Sequence, residues 1–421
     1  MAQIIVIGGG AAGFFGAIAA ATANSRAQVT LLEAGRQPLV KVGISGGGRC
    51  NVTHACFDPA LLVQNYPRGG KALRGAFSRF QPRDLVAWFA AQDVQLKTEP
   101  DGRMFPTTDD SATIVDCLTW AAKKAGVALR TGTAVSKVRK LADESNRSAA
   151  KFGVELKSGE ELWCDRLLIA TGSSPAGYQI AQNLGHQIDE APVPSLFTFN
   201  IADPLLRELA GVSVDPVKLQ LITAGTAGDR QKLEQTGALL ITHWGLSGPA
   251  VLKLSAWGAR ALHSCRYQAN LQVNWLPQSH PETLLQAFQA AKTETPKRAI
   301  ATYCPVNLPR RLWQYLVSKA EIADDLRWAD LSNKAIARLV GLLNASTYAI
   351  AGKGVFKEEF VTCGGVNLKE VDFKTMESRL CKGLYFAGEI LDIDGITGGF
   401  NFQSAWTTAW LAGQAIAIAD G

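Results

Sequence analysis

Six residues near the start of the chain, Gly8-Gly9-Gly10-Ala11-Ala12-Gly13, carry the spacing GxGxxG. Each glycine has a task where a backbone must hold a pyrophosphate. Gly8 permits a tight turn, Gly10 lets the backbone approach the phosphates, and Gly13 lets a helix lie close to the preceding strand. Ala11 and Ala12 open that helix, whose free N–H groups and partial positive charge suit an anion. Context strengthens the reading. Ile4-Ile5-Val6-Ile7 is a β-branched run of the kind buried on both faces of a parallel sheet. An Ala-rich helix over Phe14–Ala23 follows, then a second strand over Gln28–Leu32 ending in Glu33. A carboxylate there accepts hydrogen bonds from both ribose hydroxyls and repels a 2′-phosphate. The nucleotide is therefore an unphosphorylated adenosine, as in FAD or NAD. A flexible glycine-rich loop would explain the glycines but not the ordered series of strand, turn, helix, strand and acid.

Three later segments favour FAD. The first is Val40–Asn51, where Gly43, Gly46, Gly47 and Gly48 let a backbone run along a large flat ligand. Ser45, Arg49 and Asn51 add donors for phosphate or ring oxygens there. The second is the apolar strand Leu167-Leu168-Ile169-Ala170 ending in Thr171-Gly172, after short strands around Val154–Leu156 and Leu162–Cys164. The third is Gly383–Gln403. Leu384–Ala387 reads as a strand closed by Gly388-Glu389, and Gly398-Gly399-Phe400-Asn401 opens a terminal helix over Phe402–Ala419. An acid after such a strand would hold the ribityl chain. The helix N-terminus would face the flavin N1–C2=O edge, where negative charge collects on reduction.

With these motifs in place, the chain resembles the bacterial NAD(P)/FAD-dependent flavoproteins of the BaiN/RdsA, YhiN and aminoacetone-oxidase type. The matching stretches are GGGAAG at 8–13, ISGGGRCN at 44–51, THWGLSGP at 242–249, VTCGGV at 361–366 and the segment 383–403, which together span the chain. Phe400 and Phe402 stand where that family more often has Tyr and Leu. The resemblance implies an α/β fold: a discontinuous, Rossmann-like FAD-binding domain of the glutathione-reductase type, with an inserted β-barrel-like domain carrying a small helical subdomain. Ala34, Lys41, Cys50 and Val135 join the expected cofactor-binding set.

The boundaries follow from punctuation and periodicity. Residues 1–193 and 367–421 form the FAD domain, 194–275 and 346–366 the β insert, and 276–345 the helical subdomain. Pro192 and Pro194 mark the first boundary. Ser195–Ile201, Val217–Thr223, Ala238–Thr242 and Tyr267–Val273 are strand-like, and strand character returns around Val355–Thr362. Helices are expected from Pro281, over Leu308–Ala320, and from a Ser332 cap to Leu343.

Composition limits the function classes. Apolar residues make up 47% and charged residues 19%, as in soluble globular proteins. The net charge of +6 is spread without a basic, aromatic-interleaved run, which argues against a nucleic-acid partner. No stretch reads as membrane-spanning. Eight scattered cysteines fit reduced thiols in a cytoplasm rather than a disulfide framework or a metal site. Cys50 and Cys56 are spaced too widely for a redox pair. His243 is the candidate that could polarise a substrate carbonyl or move a proton, against the commoner structural role. The leading expectation is hydride transfer between NAD(P)H and a small organic substrate by way of flavin N5. The alternatives are an amine or alcohol oxidase using oxygen, and a flavin-holding protein of RNA-modification type. With no second GxGxxG, a nicotinamide would bind only transiently.

Overall fold

The structure is a computed structural model and describes residues 1–141, 151–188, 191–222, 233–354 and 361–418. Thr223, at the end of the strand expected over 217–223, the beginning of the strand expected at 355–362, and Ala419 lie outside these residues. The chain divides into two compact units, Met1–Pro192 with Val361–Gly421, and Val193–Phe360.

In the first unit, β1 (Gln3–Ile7) pairs in parallel with β2 (Gln28–Leu32) on one side and with strand Arg166–Ile169 on the other. Leu384–Phe386 extends the sheet beyond Arg166–Ile169, and Ala128–Arg130 extends it beyond β2, both in parallel. Two short antiparallel strands, Glu377–Ser378 and Val371–Asp372, complete one edge. Ile4 to Ile7 are buried, so the β-branched run is the sheet centre. The chain leaves β1 toward β2 and later returns on its other side. The carboxyl end of β1 is thus a switch point, where open α/β sheets bind ligands.

Helix α1 (Ala11–Ala23) packs on the C-terminal helix Phe400–Ile418. A helix without a polar face must be covered on more than one side, and α1 is buried from Ala11 to Ala21. Small residues allow the close approach: a Cβ on Gly413 would meet the Gly16 carbonyl oxygen at 2.6 Å. The Phe15 and Trp406 rings meet edge to face at 5.5 Å.

Buried His186 braces the sheet edge. Its Nδ1 lies 3.1 Å from Glu370 Oε2 and its Nε2 2.9 Å from Ser378 Oγ. Burial holds its pKa below the ordinary imidazole value. In the neutral ring, Nδ1–H donates to the carboxylate and Nε2 accepts from the hydroxyl.

The second unit is a closed antiparallel barrel in the order Phe199–Ile201, Gly245–Ser247, Glu234–Thr242, Ser213–Ile222, Ala269–Asn274, Ser346–Lys353. Period-two burial along Ser346–Lys353 turns Ser346, Tyr348 and Ile350 inward. Pro249–Trp257 and Ala259–Ser264 are helices inside the stretch read from sequence as β. Three further helices, Pro281–Glu294, Arg310–Lys319 and Asn333–Ala345, follow. Ser332 caps the last, accepting from Ala335 N–H at 3.2 Å.

Candidate functional site

The turn after β1 is shaped by close contacts on three of its glycines, Gly8, Gly9 and Gly13, and by open space on a fourth, Gly10. Gly8 has φ of 111°, and a Cβ there would overlap the Ala170 carbonyl. A Cβ on Gly13 would overlap the Gly8 carbonyl oxygen. Gly10, with φ −89° and ψ −170°, has nothing within 4 Å of its would-be Cβ, and no side chain caps α1. A bare helix N-terminus facing an open cradle suits a pyrophosphate. Glu33 lies beside it and accepts from Gly9 N–H at 2.7 Å and from Gly35 N–H at 2.6 Å. Each carboxylate oxygen keeps a lone pair for a ribose hydroxyl. The neighbouring Ala34 is exposed.

Segments distant in sequence converge at Glu389. Lys41 Nζ donates to its Oε2 at 2.8 Å, Thr362 N–H donates to its Oε1 at 2.9 Å, and a Cβ on Gly172 would lie 3.5 Å from Oε2. Gly388 and Gly172 both have positive φ. Thr171 Oγ1 is buried with no hydrogen-bond partner among the described residues. Val135 is buried at the start of strand Val135–Lys140.

The glycine-dense segment is more ordered than a loop. Val40–Gly48 is helical with a break at Ser45, Gly46 and Gly47. Gly46, Gly47 and Gly48 all have positive φ, and Gly43, Gly47 and Gly48 border open space. Ser45 Oγ donates to Val42 O at 2.9 Å. Arg49 is directed elsewhere. Its Nη1 donates to Glu99 Oε1 at 2.7 Å, and its guanidinium lies 4.0 Å over the Phe105 ring. Cys50 is buried, and desolvation pushes its thiol pKa up to about 12, so it stays protonated and unreactive. All eight cysteines are free thiols.

The start of the last helix is tied to residues 51–54. Gly398 and Gly399 have φ of 129° and 91°. The Asn51 amide accepts from Gly399 N–H at 3.0 Å and donates to Thr53 O at 3.0 Å. His54 Nδ1 lies 3.0 Å from Gly398 O, and its ring stacks on Phe400 at 4.6 Å. Asn401 bonds both backbone groups of Gly395, at 2.8 and 2.9 Å. Sequence reading missed four members of this frame. Thr53 and His54 directly follow the ISGGGRCN stretch, which could have pointed to them. Tyr66, whose hydroxyl donates to Phe400 O at 2.6 Å, carries no local signal. Neither does buried Gln403, which accepts from Thr53 Oγ1 at 2.6 Å. His243 belongs to the second unit, exposed in the two-residue turn between paired Thr242 and Gly245.

An uncapped dinucleotide turn, an acid at the end of β2 and a glycine-led terminal helix on one parallel sheet define the class, a FAD-dependent oxidoreductase. The chain belongs to the HI0933-like family, matching the description "HI0933-like protein Rossmann domain" over residues 2–415. It is similar to a ribosomal RNA dihydrouridine synthase of Escherichia coli, 34% identical over 97% of this chain and 96% of the relative. It is also similar to a 3-dehydro-bile acid delta(4,6)-reductase of Clostridium scindens, 29% identical over 99% of both chains. Among solved structures, a 3-ketosteroid-delta4-(5alpha)-dehydrogenase from Rhodococcus jostii shares the fold at a TM-score of 0.50. That match has 15% identity over 99% of this chain and 97% of the other. Among the described residues, no helix is long and apolar enough to cross a membrane.

Proposed function

We propose that this protein reduces a carbon–carbon double bond conjugated to a carbonyl, with electrons from NAD(P)H, and that the acceptor is a uracil ring of ribosomal RNA. One observation carries the reading: the two relatives act on unrelated molecules, yet their names describe one reaction. Dihydrouridine is uridine with its ring double bond saturated, and a delta(4,6)-reductase of a 3-dehydro substrate saturates bonds conjugated to a ketone. The acceptor follows the relative of higher identity, 34% against 29%. When bound, FAD would supply a two-electron relay between the nicotinamide and the acceptor.

The residues divide the work. Gly10 and the α1 N-terminus hold the pyrophosphate, Glu33 the adenosine ribose, and Glu389, fixed by Lys41, the ribityl hydroxyls. The backbone at Gly43–Gly48 would border the ring system of bound FAD, and the N-terminus of the last helix would stabilise negative charge at its N1–C2=O edge.

Anaerobic titration of the yellow protein with NADH and then NADPH tests the electron source, with bleaching expected. Reoxidation by ribosomal RNA from a strain lacking the gene, with dihydrouridine detected by mass spectrometry, tests the acceptor. Reoxidation by a 4-ene-3-ketone but not by RNA would favour a small-molecule acceptor, and no bleaching by either nucleotide would return weight to an oxidase.

The helix assignment has its own test. An aspartate at Gly399 is unsuitable, because its Cβ would overlap the Thr53 backbone at a positive φ. Asn51→Asp places a carboxylate at the same N–H, with its second oxygen 3.0 Å from the Thr53 carbonyl where the amide had donated, so the potential is read at a pH where that carboxyl is ionised. The variant should keep FAD and lower the two-electron potential by tens of millivolts. A partly buried dipole interaction reaches ~2 kcal/mol, and ~30 mV corresponds to 1.4 kcal/mol. Spectroelectrochemistry reads the shift, and an unchanged or raised potential would place the flavin edge elsewhere.

A further inference from the structure

Apart from the cofactor segments, the first unit carries a cleft of about 670 Å³. One wall is the C-terminal end of helix Gly70–Phe77 with Arg79, and the other is the edge-strand region 368–379. Among the lining residues Arg79, Lys369, Lys374 and Arg379 outnumber one carboxylate, Asp372, while Glu370 and Glu377 of the same segment are not among them and accept from His186 and from Gly383 N–H. Arg379 reaches Asp372 at 3.5 Å, a loose pairing. All four cationic residues are exposed. Like charges around a concavity repel one another and focus a positive potential into it. The wall that carries them is firmly held. Glu370 accepts from Gln187 N–H at 3.0 Å as well as from His186, and Ser378 Oγ accepts from Cys381 N–H at 2.8 Å. Phe373 lines the same wall. Cations beside an aromatic ring are the elements of a single-strand groove, the cations for phosphates and the ring for an unstacked base.

We infer that this cleft binds the phosphodiester backbone of the RNA acceptor, next to the nucleotide that is reduced; the inference rests on the RNA reading above. The placement fits. Helix Gly70–Phe77 spans about 12 Å at 1.5 Å per residue. Its N-cap, Gly69, abuts Ile393, in the segment leading to Gly398 and the last helix. A base taken out of its stack for reduction leaves its neighbours' phosphates on the enzyme surface. The cleft offers them a charged seat one short helix away.

The test uses the FAD-loaded variant Lys369→Ala/Lys374→Ala/Arg379→Ala. Arg79 is retained because its guanidinium donates to Lys374 O. Fluorescence anisotropy of a short labelled oligouridylate across a salt titration reads binding, and the KM for NADPH in anaerobic flavin reduction reads the electron donor. We expect the slope of log affinity against log salt to flatten by about 2, since each single-strand phosphate contact contributes ~0.7, with KM unchanged. Wild-type affinity and slope in the variant would overturn the cleft assignment. A raised KM with RNA binding intact would assign the cations to nicotinamide phosphates instead. Wild-type protein that reduces a 4-ene-3-ketone yet binds no RNA would overturn the RNA reading itself, and the cleft assignment with it.

Discussion

Gly10→Val should give a folded protein that retains no flavin. Gly10 has an extended backbone, with φ −89° and ψ −170°, which valine adopts readily. Nothing lies within 4 Å of the position its Cβ would take. The apoprotein therefore has no reason to unfold. The isopropyl group would instead fill the cradle from which the α1 amides reach the pyrophosphate. Affinity for FAD should fall by more than about a hundredfold, at ~1.4 kcal/mol for each tenfold, enough to leave the purified protein without flavin. Absorbance at the flavin band, normalised to protein, measures it, and circular dichroism checks the fold. A folded variant with normal flavin content would move the phosphate site away from this turn.

Gly13→Ala, three residues on, should fail in the opposite way. A Cβ at Gly13 would overlap the Gly8 carbonyl oxygen. Gly8 cannot yield easily, because its φ of 111° and its contact with Ala170 fix the turn against the neighbouring strand. Overpacking costs about 1–3 kcal/mol where side chains can shift. The obstacle here is backbone, so the loss should lie at the upper end, about 3 kcal/mol or more. A urea titration should show the first unit's transition at lower denaturant, with flavin loss following unfolding rather than preceding it. A variant of unchanged midpoint would show that α1 can move away from β1.

These two glycines also show what a sequence reveals. The dinucleotide turn was legible because its parts are contiguous, and strand Gln28–Leu32 matches its sequence reading residue for residue. Three of the insert's helices were legible from their punctuation, with Ser332 capping as expected. Long-range partners were not legible. Arg49 looked like a free donor because Glu99 and Asp109 lie 50 and 60 residues further on. The Asn51 cap on Gly399 joins opposite ends of the chain, and no local pattern announces it. The helices at Pro249–Ser264 were hidden because they are short and apolar between strand-like neighbours, where periodicity cannot separate the two states. The basic cleft escaped notice because its cations come from residue 79 and from 369–379, so no charge run forms in sequence.

The packing of α1 on the terminal helix also sets an order of events during synthesis. Translation at roughly 5–20 residues per second separates Ala23 from Phe400, 377 residues apart (400 − 23), by on the order of 20–80 s. Through that interval the nascent dinucleotide half lacks Leu384–Phe386, the strand beside Arg166–Ile169. The Phe15 ring lacks Trp406, and Gly16 lacks Gly413. The barrel unit, contiguous from Val193 to Phe360, emerges complete within the same interval. The growing chain thus presents a finished insert beside a half-closed nucleotide fold with an apolar helix face uncovered. That is the stage at which a nascent-chain chaperone has something to hold, and it ends only when the last helix leaves the ribosome.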